Sequence, residues 1–406
     1  MATPRPYRIS IPVSKHEQLQ QKLFMTRFPS DAADSDGSSW GQGPPVNEIQ
    51  RLSRFWQTEY TSNWQKVEAR LNLLPQYIIS IPVEDLAHTY DIHFVHKKSD
   101  RKDAIPLLFL HGWPGSFIEV TKIVDDLTTG NGEDGPAFHV VAPSLVDFGF
   151  SSRSTKGFRF QHHAEVCHRL MKACGYDRYV VQAGDVGSLV ARYMAKQYGS
   201  TGFVALHTNT PAPMEPTKEK HPELHDQLQS TPLTETEQQC MQRTANFMSH
   251  GRGYYSMMST KPTTIGYSLS DSPVALLAWI YEKLHDWSDD YPWSDEEILT
   301  WVSIYYFSTA GPEASSNAYY AMEHDEPPAF VGAAEYVDVP LGISRFQNDL
   351  IVLPKMWNKT LGPIVFEEEH ARGGHFAAWE RPDAIVKDLR AMFAKGGAWE
   401  SGKVTW

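Results

Sequence analysis

Residues 180–190 read VVQAGDVGSLV, and this stretch decides which fold the sequence predicts. Its first four residues are typical of a buried strand, and the apolar positions from Val186 onward recur at helical spacing. Small residues on both sides of Asp185 indicate a very tight turn between the strand and the helix. A carboxylate at the apex of such a turn is a candidate nucleophile, and an aspartate that only caps the helix is the alternative.

Strands and helices alternate around this turn. The apolar runs IPLLFLHG (105–112) and AFHVVAPS (137–144) predict buried strands, and an apolar stripe predicts a helix over 116–127. Glu119 follows Ser116 by three positions, which predicts a capping box at the start of that helix. The alternation predicts an α/β fold, with a mostly parallel sheet and helices on both faces.

The alternation of predicted strands and helices stops at about Pro211. A segment rich in charged residues and helical patterns continues to about Gly332, and the alternation then resumes. We therefore predict that a helical cap is inserted into one α/β core. The first part of the core is predicted at residues 96–210, the cap at 211–335 and the second part of the core at 336–406.

Residues 1–95 are predicted to form an N-terminal lead-in that wraps the core. Within it, residues 31–45 are rich in Ser, Gly, Asp and Pro, which predicts a loop. Apolar residues then recur at intervals of three and four over residues 49–71. This spacing predicts a helix with a continuous apolar stripe that packs against the rest of the chain.

The composition argues against several classes of protein. The 406 residues carry a net charge of −12 and no basic block, which argues against nucleic-acid binding and favours a small apolar ligand. No segment approaches the roughly 18 apolar residues of a membrane span, and the start lacks a signal-like apolar run, so we expect a cytoplasmic protein. The three cysteines show no metal-ligand spacing, which suits a reducing compartment. The aromatic content and the wrapping lead-in are compatible with a homodimer.

The sequence HGWPGS at residues 111–116 directly follows the first buried strand. In an α/β-hydrolase, this is the position of the loop whose backbone N–H groups bind an oxyanion. We predict that the N–H groups of Trp113 and Val186 are the two donors, because Val186 immediately follows the candidate nucleophile.

His375 is the predicted general base, because it lies after the last predicted strand, and a nucleophile followed late in the chain by a histidine is the order of this fold. Asp349 is predicted to orient the imidazole, since it follows the penultimate strand. Asp338 lies at the entry of that strand, which is the wrong end of the sheet. The run EEEH at 367–370 could suggest a metal site, but we interpret it as a solvated acidic run and expect no metal.

With these residues in place, the chain resembles the epoxide hydrolases of the α/β-hydrolase fold, specifically the microsomal type and its soluble fungal members. The resemblance extends over nearly the whole chain. It rests on the motifs DIHFVHKKS (91–99), HGWPGS (111–116), APSLVDFGFSS (142–152), AGDVGS (183–188), STKPTTIGYSLSDSPVALLAWIYEK (259–283) and GGHFAAWERPD (373–383). The sequence differs from the family pattern in two respects. It does not begin with the membrane-anchoring segment of mammalian microsomal members, and its predicted orienting acid is Asp349, where the family often has Glu.

The resemblance implies that two tyrosines of the cap donate hydrogen bonds to the epoxide oxygen. Matching residue by residue places them at Tyr254 and Tyr320. Each has a tyrosine beside it, so Tyr255 and Tyr319 are the alternatives after a slip of one residue.

The implied reaction converts a small apolar epoxide and water to a vicinal diol, without a cofactor. Asp185 would form an alkyl ester with an epoxide carbon, and water activated by His375 would cleave that ester. Dehalogenases of haloalkanes or haloacids are the rival enzyme class, but they commonly have a halide-binding Trp where this chain has Val186. A non-catalytic relative that only binds an apolar ligand, and an enzyme that opens epoxides by cyclisation, are further alternatives.

Overall fold

The computed structural model describes residues 2–30, 40–130, 135–397 and 399. Most of the predicted loop at 31–45 lies outside these residues. Within the described part of the chain, no helix is long and apolar enough to cross a membrane.

Nine strands form a single sheet in the part of the chain that the structure describes. They are β1 (Arg5–Pro6), β2 (Gln76–Val83), β3 (His88–Lys97), β4 (Ile105–Leu110), β5 (Phe138–Pro143), β6 (Tyr179–Ala183), β7 (Phe203–Thr208), β8 (Leu341–Phe346) and β9 (Ile364–His370). Their order across the sheet is β1-β2-β3-β5-β4-β6-β7-β8-β9, and all neighbours from β5 to β9 run parallel. The prediction of a mostly parallel sheet is therefore confirmed.

Sixteen α-helices accompany the sheet in the described ranges. They are α1 (Val13–Phe24), α2 (Val46–Phe55), α3 (Trp64–Leu71), α4 (Val124–Thr129), α5 (Phe160–Ala173), α6 (Asp185–Tyr198), α7 (Pro222–Ser230), α8 (Glu235–Asn246), α9 (Gly253–Thr260), α10 (Pro262–Asp271), α11 (Pro273–Asp286), α12 (Asp295–Tyr306), α13 (Ser316–His324), α14 (Ala329–Ala333), α15 (Ala377–Glu380) and α16 (Pro382–Met392). Every residue of β6 and β7 is buried, so both faces of the sheet are covered at its centre.

The N-terminal segment does more than wrap the core, because it extends the central sheet. β2 and β3 form an antiparallel hairpin, and β3 also pairs antiparallel with β5. β3 continues to Lys97, so the predicted limit at residue 95 falls inside a strand. The predicted apolar stripe is confirmed, since its seven positions are all buried: Ile49, Leu52, Trp56, Tyr60, Trp64, Val67 and Leu71.

Helices α7 to α14 lie between β7 and β8, within the segment predicted as a cap. Two side chains of α12 bind the loop that follows β4. The indole N–H of Trp301 donates to the carbonyl oxygen of Pro114, and the hydroxyl of Tyr305 donates to that of Gly115 at 2.7 Å. The inserted helices therefore contact the edge of the sheet at which the parallel strands end. The exact limits of the cap at residues 211 and 335 stay predictions.

Candidate active site

Asp185 lies at the turn between β6 and α6 and is the first residue of the helix. Its φ angle is +48°, a left-handed conformation that few residues other than glycine, asparagine and aspartate adopt. The turn also lies close to the end of β4, because a Cβ atom at Gly187 would collide with the carbonyl oxygens of Leu110 and His111. The small residues around Asp185 therefore have a steric reason, as the sequence predicted.

The loop HGWPGS holds one oxygen of the Asp185 carboxylate. The backbone N–H of Trp113 donates to Oδ1 of Asp185 at 2.8 Å. A Cβ atom at Gly112 would collide with the same carboxylate, so glycine is required for this close approach. Val186, the other predicted donor, is buried in the first turn of α6 and borders the same cavity as Asp185. The start of α6 also favours a negative charge, because the helix dipole is positive there.

The three predicted residues Asp185, His375 and Asp349 lie together at this edge of the sheet. The Nδ1–H of His375 donates to Oδ1 of Asp349 at 2.7 Å, and Nε2 of His375 lies 3.5 Å from Oδ2 of Asp185. Burial by itself would lower the pKa of His375, but the charge of Asp349 and hydrogen bonds to both carboxylates raise that pKa well above its usual value. While Asp185 is ionised, the imidazole is therefore charged. If the charge of Asp185 is removed, two of the contributions that raise this pKa are lost, and the imidazole can then accept a proton from water while Asp349 stabilises its charged form.

Trp287, just after α11, is a residue of the site that the sequence did not predict. Its carbonyl oxygen accepts the N–H of His375 at 2.9 Å, and its ring centre lies 5.1 Å from that of the imidazole. A Cβ atom at Gly374 would collide with the backbone of Trp287, which explains the glycine before the histidine. The chain has 12 tryptophans, and no motif in the sequence distinguishes Trp287 from the others.

Two tyrosines of the inserted helices lie over the nucleophile loop. The ring of Tyr254 stacks on that of Trp113, with centres 5.2 Å apart and planes within 10°. The ring centre of Tyr319 lies 5.5 Å from that of Trp113 and 5.8 Å from that of Tyr254. Burial and the charge of Asp185 raise the pKa of Tyr254 well above its usual value, and burial, the neighbouring phenol of Tyr254 and the charge of Asp185 do the same for Tyr319. Both phenols therefore keep their protons.

The placement of Tyr320 over Asp185 is wrong by one residue. Its side chain is 43% exposed, and its ring stacks on that of His324 on the outside of α13. Successive residues of a helix differ in direction by about 100°, so Tyr319 points inward where Tyr320 points outward. The buried residues Ala318, Tyr319 and Met322 share one face of α13, and this spacing would have identified the correct tyrosine.

Tyr255, the alternative to Tyr254, lies beside the same cavity but is bound elsewhere. Its hydroxyl donates to the carboxylate of Glu323 at 2.5 Å. The guanidinium of Arg252 lies over its ring, 4.2 Å from the ring centre. Since the hydroxyl of Tyr255 already donates to Glu323, Tyr254 is the better candidate for a donor to a substrate.

A cavity of about 400 Å³ extends from Asp185 between the core and the inserted helices. Asp185, His375, Tyr254 and Tyr319 all border it. Its walls are mostly apolar and include Leu189, Met214, Phe247, Met322, Phe330 and Leu350. The cavity therefore suits a small apolar molecule whose polar end lies at Asp185.

The carboxyl group of Glu119 lies near Asp185, away from the large apolar cavity. Glu119 borders a small cavity of about 20 Å³, together with Asp185 and His375. The capping box predicted for this residue is incomplete, since the Ser116 hydroxyl accepts the N–H of Ile118 rather than that of Glu119. Within the described ranges, no group of three or more His, Cys, Asp or Glu side chains could hold a metal ion.

Two family descriptions match the chain. Residues 4–120 match the family described as epoxide hydrolase N terminus, and residues 105–382 match the family described as alpha/beta hydrolase fold. The second match includes Asp185, Asp349 and His375. The fold predicted from the sequence is therefore confirmed.

Proteins similar to this chain over almost its whole length are epoxide hydrolases by name. A putative epoxide hydrolase of Stigmatella aurantiaca is 35% identical over 398 residues, which cover 96% of this chain and 84% of that protein. Epoxide hydrolase 1 of Sus scrofa is 30% identical over 419 residues, which cover 95% of this chain and 87% of that protein.

Solved structures agree with these sequence comparisons. The structure of Aspergillus niger epoxide hydrolase superimposes with a TM-score of 0.80 at 33% identity and covers 95% of each chain. The juvenile hormone epoxide hydrolase of Bombyx mori has a TM-score of 0.85 at 24% identity, covers 96% of this chain and 93% of its own, and shows the shared fold. Since relatives at 30% identity or more share nearly all of the chain, this protein belongs to the epoxide hydrolases of the α/β-hydrolase fold.

Proposed function

We propose that this protein converts small apolar epoxides to vicinal diols through an alkyl ester on Asp185. One observation carries the proposal: the carboxylate of Asp185 binds the N–H of Trp113 with one oxygen, while its other oxygen faces His375. The same carboxylate borders an apolar cavity that contains the phenols of Tyr254 and Tyr319. The proposed nucleophile, base and proton donors therefore all lie around the end of the cavity at Asp185.

In the first step, Oδ2 of Asp185 attacks an epoxide carbon, because Oδ1 is already bound to Trp113. A carboxylate needs no activating base for this attack at neutral pH. The carbon–oxygen bond of the ring breaks, and negative charge develops on the epoxide oxygen. Tyr254 and Tyr319 donate hydrogen bonds to that oxygen and supply its proton.

In the second step, water attacks the carboxyl carbon of the ester, and Nε2 of His375 takes one proton from that water. The tetrahedral intermediate carries its negative charge on Oδ1 of Asp185, where the N–H groups of Trp113 and Val186 stabilise it. The bond from the carboxyl carbon to Oδ2 then breaks, and the leaving alkoxide takes the proton from His375. The diol departs with the former Oδ2, and Asp185 keeps one oxygen from water. The second proton of that water is left on the carboxyl group of Asp185 and returns to the tyrosine that protonated the epoxide oxygen, so Asp185 is again a carboxylate.

An aspartate is suited to this chemistry where a serine would not be. Attack by serine on an epoxide carbon would leave an ether, which water and a histidine cannot cleave. An ester on Asp185 returns to a carboxylate by ordinary acyl chemistry. The alternative of dehalogenation receives no support from the residue after the nucleophile, because Val186 has no side-chain donor for a halide.

The test is a single turnover in oxygen-18 water, with the enzyme in excess over an aryl epoxide. We expect one labelled oxygen in the Asp185 peptide and an unlabelled first diol, both measured by mass spectrometry. Label in the first diol but none in Asp185 would show direct attack by water and would contradict the ester route. Halide release from haloalkanes, with no diol from any epoxide, would favour the rival class.

A further inference from the structure

We infer that Lys283 makes Tyr254 the tyrosine that gives its proton to the epoxide oxygen, because the ammonium group stabilises the phenolate that this transfer leaves behind. The inference rests on the function proposed above, in which two tyrosines of the cavity could supply that proton. Lys283 lies on α11, at the end of the sequence motif 259–283. It is the one buried lysine in the part of the chain that the structure describes, with 4% of its surface exposed. Lysine is almost never buried without a partner, since an ammonium group loses favourable hydration there.

The ammonium group of Lys283 lies among aromatic rings. Its Nζ atom is 5.0 Å from the ring centre of Tyr254, 5.6 Å from that of Trp279 and 5.8 Å from that of Trp287. A cation is attracted to the face of such a ring within about 6 Å. The ion-pair partner of Lys283 is the neighbouring Glu282, whose side chain is 30% exposed. Because water screens the exposed carboxylate more than the buried ammonium group, the positive charge dominates at the ring of Tyr254.

The two tyrosines differ in their charged surroundings. Burial and the charge of Asp185 raise the pKa of both phenols. The hydroxyl of Tyr319 lowers the pKa of Tyr254 as a hydrogen-bond donor, and the same interaction raises the pKa of Tyr319. The charge of Arg252 also lowers the pKa of Tyr254. Among the described residues, no Lys or Arg lies over the ring of Tyr319 as Lys283 lies over that of Tyr254. Tyr254 is therefore the phenol that loses its proton more readily.

The role of Lys283 belongs to the first step of the reaction. As the carbon–oxygen bond of the ring breaks, Tyr254 transfers its phenolic proton to the epoxide oxygen, which becomes a hydroxyl group. The phenolate that remains lies in an apolar cavity, where a negative charge is unfavourable. The ammonium group of Lys283 offsets this, because the charge of a phenolate is delocalised over the ring beside it. Lys283 does not border the cavity, so it acts only through Tyr254. Tyr319 keeps its proton and donates a hydrogen bond.

The structural alternative is that Lys283 only packs α11 against its aromatic neighbours. Lys283→Met keeps the unbranched apolar body of the side chain and removes the charge, whereas Lys283→Arg keeps the charge. The matched control is Lys122→Met. Nζ of Lys122 lies 4.6 Å from the ring centre of Tyr291 and 4.0 Å from that of Trp379, and it forms an ion pair with Glu297. These rings belong to neither tyrosine of the cavity.

The experiment measures both steps by rapid quench and intact mass, with an aryl epoxide in excess. In Lys283→Met we expect the limiting rate of ester formation to fall about tenfold, because a desolvated cation at an aromatic ring is lost. The epoxide concentration at half-saturation should not change, since Lys283 does not border the cavity. Ester hydrolysis should keep its wild-type rate, which also reports that the variant is folded. Lys283→Arg should restore most of the rate of ester formation, and Lys122→Met should change neither step.

A pair of substrates distinguishes an electrostatic role from packing. Methyl oxirane and trifluoromethyl oxirane differ in the basicity of the oxygen that the opened ring leaves behind. The fluorinated oxygen is the weaker base, so its release depends less on a proton from Tyr254. The loss in Lys283→Met should therefore be smaller with trifluoromethyl oxirane. An equal loss with both epoxides would show a packing effect and overturn the inference.

Double variants test whether the charge acts through Tyr254. Lys283→Met should cause no further loss in Tyr254→Phe, but about the same tenfold loss in Tyr319→Phe as in the wild type. A full loss in Tyr254→Phe, an equal slowing of both steps or no slowing at all would overturn the inference. If Lys283→Met does not fold, Lys283→Gln gives the same test, because its amide can still bind Glu282. If the wild-type protein forms no ester with any epoxide, the proposed function fails before any substitution is made, and this inference fails with it.

Discussion

The two halves of the site are fixed in place by different means. Asp185, Asp349 and His375 stand on turns and loops after strands of the sheet. Glycines permit the close backbone contacts on both sides of the nucleophile, at Gly112 and Gly187, and before the base, at Gly374. Tyr254 and Tyr319 stand on helices, where the face of the helix alone decides whether a side chain points at the cavity. A shift of one residue is sterically forbidden at the turn between β6 and α6, where a side chain at Gly187 would collide with the end of β4. On a helix, the same shift only exchanges one tyrosine for its neighbour.

This difference has a chemical counterpart. In the proposed mechanism, the half on the sheet makes and breaks the ester, whereas the half on the helices stabilises the charge that develops on the epoxide oxygen. Substitutions in the first half should therefore remove a step of the reaction. Substitutions in the second half should slow only ester formation and leave ester hydrolysis unchanged.

The largest effect is expected from Asp185→Asn, which should abolish both ester and diol. A neutral amide is not a nucleophile for an epoxide carbon, so the reaction has no first step. Asparagine tolerates the left-handed backbone conformation of this turn, so the fold should be retained. Intact mass and diol formation measure the effect, and the melting temperature is the control. Diol formation that survives this substitution would remove Asp185 from the role of nucleophile.

The next effect is expected from His375→Gln, which should trap the ester. Ester formation needs no base, but its hydrolysis should slow by about 10²–10⁴-fold, the usual contribution of a general base. Intact mass should show the enzyme heavier by the mass of one epoxide. The variant should also be less stable, because the buried Asp349 loses its hydrogen-bond partner. Continued diol formation without a trapped adduct would show that another group is the base.

The sequence was informative wherever local sterics decide the structure. The small residues around Asp185 could be recognised because no larger residue fits between the turn at Asp185 and the end of β4. His375 and Asp349 followed from the order of strands, since the parallel strands end at one edge of the sheet. The apolar stripe over 49–71 was recognisable because burial at helical spacing requires no knowledge of the partner.

The sequence was less informative wherever distant segments meet. The antiparallel pairing of β3 with β5 depends on a contact between segments far apart in the chain, and its residues give no sign of it. Trp287 touches His375 only because α11 ends above the last loop of the core. Glu119 fitted a capping pattern, and only the folded loop shows that its carboxyl group lies beside Asp185.

The smallest effect of the three concerns the neighbouring residues Tyr319 and Tyr320. Tyr319→Phe should slow ester formation by about 10- to 100-fold, because one of two donors to the epoxide oxygen is lost and Tyr254 remains. Hydrolysis of the ester should keep its wild-type rate, since Tyr319 has no part in that step. Rapid-quench measurement of both steps, with the same aryl epoxide, separates the two rates.

Tyr320→Phe is the matched control, because it removes the same hydroxyl group one position further along α13. That hydroxyl belongs to an exposed side chain on the outer face of the helix, so neither rate should change. If the two variants behaved in the opposite way, the inward face of α13 would be wrongly assigned. If Tyr319→Phe slowed both steps equally, the division of labour between the helices and the sheet would fail, because the phenol would then also contribute to ester hydrolysis.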